Sequence, residues 1–225
     1  MRQLAIIGRV LVSPLRGFRD LLERPRAGLA VLVLVGSAWA AHAATHARID
    51  PVAQQRITAA RMAAGQAGSE LSDEEVREAA ERALNLRRLG GYGLWLVGLP
   101  LALVLLGLLS WLAYTAWGEG LGFRCCYRLM AHACLPFAVR QLLAVPVILD
   151  YPAVDPAASG DLFVTDLGGL LGGAAFPGAF LLDPFWMWSG VLVALAGRAM
   201  GRSWLRCALV GVGSWVLLAA VGRVL

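Results

Sequence analysis

Long stretches of this chain carry no charge, and short arginine-marked segments separate them. Ala27 to Ala47 and Leu89 to Gly118 contain no Asp, Glu, Lys or Arg, and Leu129 to Leu149 contains only Arg140. The segments between Asp183 and Arg198 and between Arg206 and Arg223 are likewise uncharged. With a few flanking residues each run approaches the roughly 20 residues that a helix needs to cross about 30 Å of hydrocarbon. None alternates apolar with polar as barrel strands do, and helices satisfy their own backbone groups in lipid. The pattern predicts an all-α integral membrane protein with five transmembrane helices, the last two forming a hairpin that turns at Gly197 to Ser203. On the first arm of that hairpin Gly190, Ala194, Gly197 and Gly201 recur at spacings of four, three and four. They form a small-residue face suited to close helix packing.

Two segments depart from this pattern. In the first 26 residues Ser13 and Pro14 make a helix start. Leu15, Phe18 and Leu22 share one face of that helix, Arg16, Arg19, Asp20 and Glu23 lie off it, and Pro25 stops it. This predicts an amphipathic N-terminal segment, 1–26, whose apolar face rests on the membrane surface or on the helical bundle. An Arg-rich start, an apolar run and Ala41-His42-Ala43 also imitate a signal peptide, but the long first region with its own helix favours a retained anchor.

The other departure is Arg48 to Arg88, the one extended hydrophilic stretch, in which seven arginines balance seven acids. Asp50-Pro51 opens a helix and Gly65 to Gly68 breaks it. Ser72 and Glu75 then form a capping box, with Leu71 and Val76 placed as a hydrophobic staple. Asp73–Arg77 and Glu78–Arg82 are spaced as one-turn ion pairs. An extramembrane helical hairpin between the first and second spans is expected, inserted at 48–88 into a membrane domain of 27–225.

Composition agrees with the pattern. Of 225 residues, 59% are hydrophobic and 16% charged, against about 25% charged in ordinary soluble domains. All 20 basic residues are Arg, which points to a GC-rich bacterial genome. The net charge of +5 reads as membrane orientation and not as a nucleic-acid surface, because the arginines stand at helix ends. A cytosolic N-terminus puts inside the six N-terminal arginines, Arg124, Arg128, Arg198, Arg202 and Arg206. The acidic stretch 150–182, which has no Lys or Arg, then lies outside. This is the positive-inside arrangement, and it predicts a multi-pass protein of the bacterial cytoplasmic membrane.

Catalytic constellations are scarce. There is no Gly-x-Ser-x-Gly, no His-Glu-x-x-His and no P-loop, so no enzyme and no cofactor is expected. Cys125, Cys126, His132 and Cys134 lack the spacing of a zinc module and read as packing residues, so no metal is assigned. His42 and His46, one turn apart without a third ligand, read as interface residues. Arg140 is different. A charge at membrane depth costs about 2.5–3.5 kcal/mol on insertion scales, so it should face the interior and have a partner. Asp183 must dip below the outer surface, because the residues from Pro184 to Gly197 are too few to cross alone. An ion pair between Arg140 and Asp183 is expected in the outer half of the membrane; the alternative has Arg140 snorkelling to the interface.

Taken in order, Ser13-Pro14-x-x-x-Phe18 with Glu23-Arg24-Pro25, Gly122-Phe123-Arg124, Leu135-Pro136, and Leu182-Asp183-Pro184-Phe185-x-x-Trp188 before a hairpin with Ser203 and Trp215 resemble the Yip1 domain family. Pro184 replaces an aliphatic residue of the pattern, and 48–88 falls outside it. The resemblance implies five spans and a cytosolic N-terminus. Eukaryotic relatives are implied to act in vesicle traffic with small GTPases, a role without a bacterial counterpart. The expected function is a non-catalytic membrane organiser that binds protein partners, or further copies of itself, within the lipid bilayer. The alternative is a small transporter or lipid-handling protein with a polar path at Arg140 and Asp183.

Overall fold

A computed structural model describes residues 2–23, 26–65, 72–118, 120–154 and 182–224. Among them the chain is helical, without strands: α1 (Arg2–Val12), α2 (Pro14–Glu23), α3 (Gly28–Ala47), α4 (Pro51–Gly65), α5 (Asp73–Gly93), a π turn (Leu94–Gly98), α6 (Leu99–Ala116), α7 (Phe123–Ala133), α8 (Leu135–Asp150), α9 (Pro184–Ala199) and α10 (Trp204–Val224). Among the described residues three helical stretches are long and apolar enough to cross a membrane: Gly28–Ala47, Asp73–Ala116 and Phe123–Asp150. Leu71 of the expected staple and the glycine-rich part of 150–182 lie outside the described residues.

The N-terminal segment holds two helices, where the sequence reading expected one. Residues 2–12 have no capping signal, yet they fold into α1, and the Ser13 carbonyl accepts the first bonds of α2 from Arg16 and Gly17, each at 3.0 Å. The apolar face of α2 is Phe18 and Leu21, which are buried, while Leu15 is exposed. This face packs on the bundle, with α2 against α9. Gly17 lets α1 fold back closely, since a Cβ there would lie 2.5 Å from the Val10 nitrogen. Arg9 and Asp20 join the two helices at 2.5 Å.

The hydrophilic stretch holds α4 and the start of α5, which pack on each other. Ser72 and Glu75 form both bonds of the capping box. Those bonds hold the Glu75 carboxyl below its ordinary pKa. Glu78–Arg82 pairs at 2.7 Å, but Arg77 turns to Glu74 at 2.6 Å and not to Asp73. Asp73 is a first-turn acid, where its charge faces the positive helix end.

The second arm does not stop before the membrane: α5, the π turn and α6 run on as one 44-residue helix. Pro100 lacks the N–H that would bond the Leu96 carbonyl and crowds that carbonyl, and the helix widens by one π turn just before it instead of breaking. Pro136 acts more strongly. The third apolar stretch starts earlier than Leu129, at Phe123, and divides at Cys134, where the Phe137 N–H bonds the Cys134 carbonyl at 2.9 Å. Pro146 lies inside α8 without ending it.

The helices α3 and α8 pack along each other in the same direction, whereas the consecutive helices α6–α7 and α9–α10 pack as antiparallel pairs. At the far end of α3 and α8 the chain is stitched by the Asp50 N–H to the Val154 carbonyl (2.9 Å), the Val154 N–H to the Arg48 carbonyl (2.7 Å) and Arg48 Nη2 to the Leu149 carbonyl (2.5 Å). At the opposite, arginine-rich end Arg206 Nη1 donates to the Trp117 carbonyl at 3.4 Å. That contact sets the start of α10 beside the end of α6.

Candidate functional site

The most concentrated polar chemistry inside the bundle is where α9 begins beside α8. Asp183 is the N-cap of α9, and its Oδ1 accepts the N–H groups of Phe185 (2.8 Å) and Trp186 (3.4 Å). Pro184 at the first helical position needs no bond, so the cap serves the first donors that do. The other carboxylate oxygen, Oδ2, lies 3.2 Å from Arg140 Nε. The Asp183 side chain is 3% exposed and that of Arg140 23%. One carboxylate therefore meets a guanidinium and the positive end of a helix together.

The surroundings are apolar and aromatic. One turn before Arg140 and one turn after Asp183, Phe137 and Trp186 stack at 5.2 Å, and Trp95 of the π turn lies 5.8 Å from Phe137. The stack joins α8, α9 and the widened turn of the long helix around the charged pair. The near-complete burial of the Asp183 carboxylate strengthens the pair and raises the cost of breaking it.

The small-residue face of α9 has two roles. A Cβ on Gly190 would lie 2.7 Å from Trp215 Cβ and 3.0 Å from the Gly211 carbonyl, and Ala194 touches Gly211. Gly197 faces Tyr114 of α6 as well as Cys207 of α10. Gly201 does not belong to this contact. It has φ +80 in the turn after α9 with open space around it, so it shapes the turn and packs on nothing.

His42 and His46 are not bare interface residues. With Trp39 they line one face of α3 and reach successive backbone carbonyls of α5: Trp39 Nε1 to Tyr92 (3.1 Å), His42 Nε2 to Arg88 (3.2 Å) and His46 Nε2 to Leu84 (3.1 Å). The His42 ring occupies the place where a side chain on Gly91 would stand. The signal for this ladder was the pairing of polar-tipped rings at 39, 42 and 46 with the Gly90-Gly91 step.

Cys125, Cys126, His132 and Cys134 do not converge on a metal position. His132 Nδ1 bonds the Arg128 carbonyl at 2.9 Å, and Cys126 and Cys134 are buried. Among the described residues no group of three or more His, Cys, Asp or Glu could hold a metal ion.

No match was found among curated proteins or among solved structures. Of the motifs on which the family resemblance rests, Leu182-Asp183-Pro184-Phe185 forms the capped start of α9, Leu135-Pro136 opens α8, and Gly122-Phe123-Arg124 opens α7. The Yip1 domain matches the chain over residues 8–224, nearly its whole length, and the chain belongs to the Yip1 domain family.

Proposed function

We propose that this membrane protein is a non-catalytic organiser of Yip1 type, which crosses the bilayer five times with its N-terminus in the cytosol. It binds protein partners through its N-terminal helices and the α4–α5 arm. The observation that carries this reading is the state of the buried pair. Asp183 is engaged by the α9 backbone and by Arg140, so the charges hold helices together instead of lining a path. A cavity of about 360 Å³ between α6 and α10 has neither residue in its lining, which weighs against the transporter alternative.

The side chains open to a partner are Arg16 and Arg19 on α2 and Glu74, Arg77 and Glu78 on α5, all exposed. A photo-crosslinking residue placed at Arg16 or Glu74 in cells should give discrete protein adducts, whereas one at the lipid-facing Leu109 should not. Adducts absent from both exposed positions, together with solute uptake into proteoliposomes that Arg140→Leu abolishes, would replace the organiser by the transporter.

A further inference from the structure

The N-terminal helix α1 packs on the bundle by one face only. Val10 is fully buried, and Ile6, Ile7 and Leu11 rest on the core around it. On the outer face Leu4, Gly8 and Val12 recur every four residues. Leu4 is 60% exposed and Val12 84%, and a Cβ on Gly8 would meet nothing within 4 Å. We infer that this outer face is embedded in the acyl chains of one leaflet of the bilayer, on the arginine-rich side of the bundle, with the arginines of α2 at the level of the phosphates.

Depth decides what covers the face. The helix α1 touches α8 as well as α7. Because α8 begins at Leu135, 12 residues into the apolar stretch Phe123–Asp150, its start lies about 18 Å from the arginine-rich end of that stretch. The 28 residues of the stretch make about 42 Å, about 12 Å more than the hydrocarbon core. Even with the whole excess on the arginine-rich side, the start of α8 stands about 6 Å inside the core, so a helix that reaches it lies among acyl chains. A soluble partner would have to displace lipid to reach Leu4 and Val12.

Length selects a single leaflet. Gln3–Val12 is apolar, but its 10 residues rise only about 15 Å, half of a 30 Å core, so α1 can line one leaflet and cannot cross. Charge agrees with that placement. Arg9, the one charge between residues 3 and 12, is bound to Asp20 at 2.5 Å, so it meets the lipid as a pair and not as a lone ion. Arg16 and Arg19 follow on α2, both exposed, and residues 1–26 hold six arginines against two acids. Arginine stems can lie along apolar surface while their guanidinium groups meet phosphates. The partner contacts proposed above are on α2 and α5, so loss of either assignment leaves the other standing.

The test places a benzophenone amino acid at Val12 or Leu4 of the full-length protein, reconstituted in vesicles of phosphatidylcholine and phosphatidylglycerol, irradiated and read by mass spectrometry of its peptides. Both positions should yield peptides heavier by one whole phospholipid, as should the lipid-facing Leu109 of α6, while Glu74 of α5 should yield none. Phospholipid adducts at Leu109 but at neither Val12 nor Leu4 would keep the spans and remove α1 from the leaflet. Crosslinks from Val12 to a second copy of the chain, in place of lipid adducts, would equally overturn the inference. Should the substituted proteins not fold, the wild type in the same vesicles decides, labelled by a carbene probe dissolved in the lipid. Its peptides 3–9 and 10–16, released by cleavage after arginine, should carry label, and label on α6 without label on either peptide would overturn the inference.

Discussion

Asp183 is buried and Arg140 partly so, and each charge reduces the cost of burying the other. Asp183 has a second source of support, because the first N–H groups of α9 remain bonded to it if the guanidinium is removed. Arg140→Leu should therefore be the milder single change. Asp183→Asn keeps a capping side chain but removes the negative charge that faces the guanidinium, and it should cost about 3 kcal/mol, as for a broken buried pair. The combined variant should recover part of that loss, and thermal unfolding in detergent measures it; strictly additive losses would mean that the two side chains do not support each other. The two residues were legible as candidates because a lone Arg in an apolar run and an Asp before a short one are each conspicuous. The ladder of Trp39, His42 and His46 was not. Its partners are backbone carbonyls, which every helix possesses, so the Gly90-Gly91 step that admits the His42 ring is its one mark in the sequence.

Among the elements, α9 and α10 approach closely, and glycines on both helices set the contact. A Cβ on Gly211 would lie 2.6 Å from the Gly190 carbonyl and 3.0 Å from Ala194 Cβ. Both neighbours are fixed parts of a helix, so Gly211→Val should destabilise by about 1–3 kcal/mol through overpacking. Gly213→Leu, two residues on in the wall of the cavity between α6 and α10 and with open space around it, should leave the detergent unfolding midpoint in place; equal losses at the two positions would show that α10 presents a different face to α9. The small face of α9 was readable from its spacing, although spacing could not separate the packing glycines from Gly201, whose positive φ depends on the turn. Three further features escaped for stated reasons. Residues 2–12 lack a cap. Pro100 and Pro136 look alike in sequence, yet one widens a helix and the other divides it. And α5 carries charges up to Arg88, which hides its continuity with α6.

For the molecule as a whole, the order of ends follows from contacts made far apart in the chain. The stitching of residues 48–50 to 149–154 places the far ends of α3 and α8 together, and Arg206 on Trp117 places the start of α10 at the end of α6. If α3, the long helix and α8 each cross once, these contacts assign α4 and the start of α5 to one side, and Arg206 with the turn at 200–203 to the other. On the proposed topology that second side is the cytosol, as the positive-inside rule expects. The three long apolar helices were legible, because charge-free length is written in the sequence. The stretch 155–181, too weakly apolar to be read as a span, lies outside the described residues. The account stands most directly on five crossings. Single cysteines at Arg16, Glu74 and Ser203, in a variant lacking the four native ones, should be probed in intact cells with a membrane-impermeant thiol reagent. The account predicts labelling at position 74 from outside the cell, and at 16 and 203 only after the membrane is opened; labelling of 74 and 203 from the same side would contradict it.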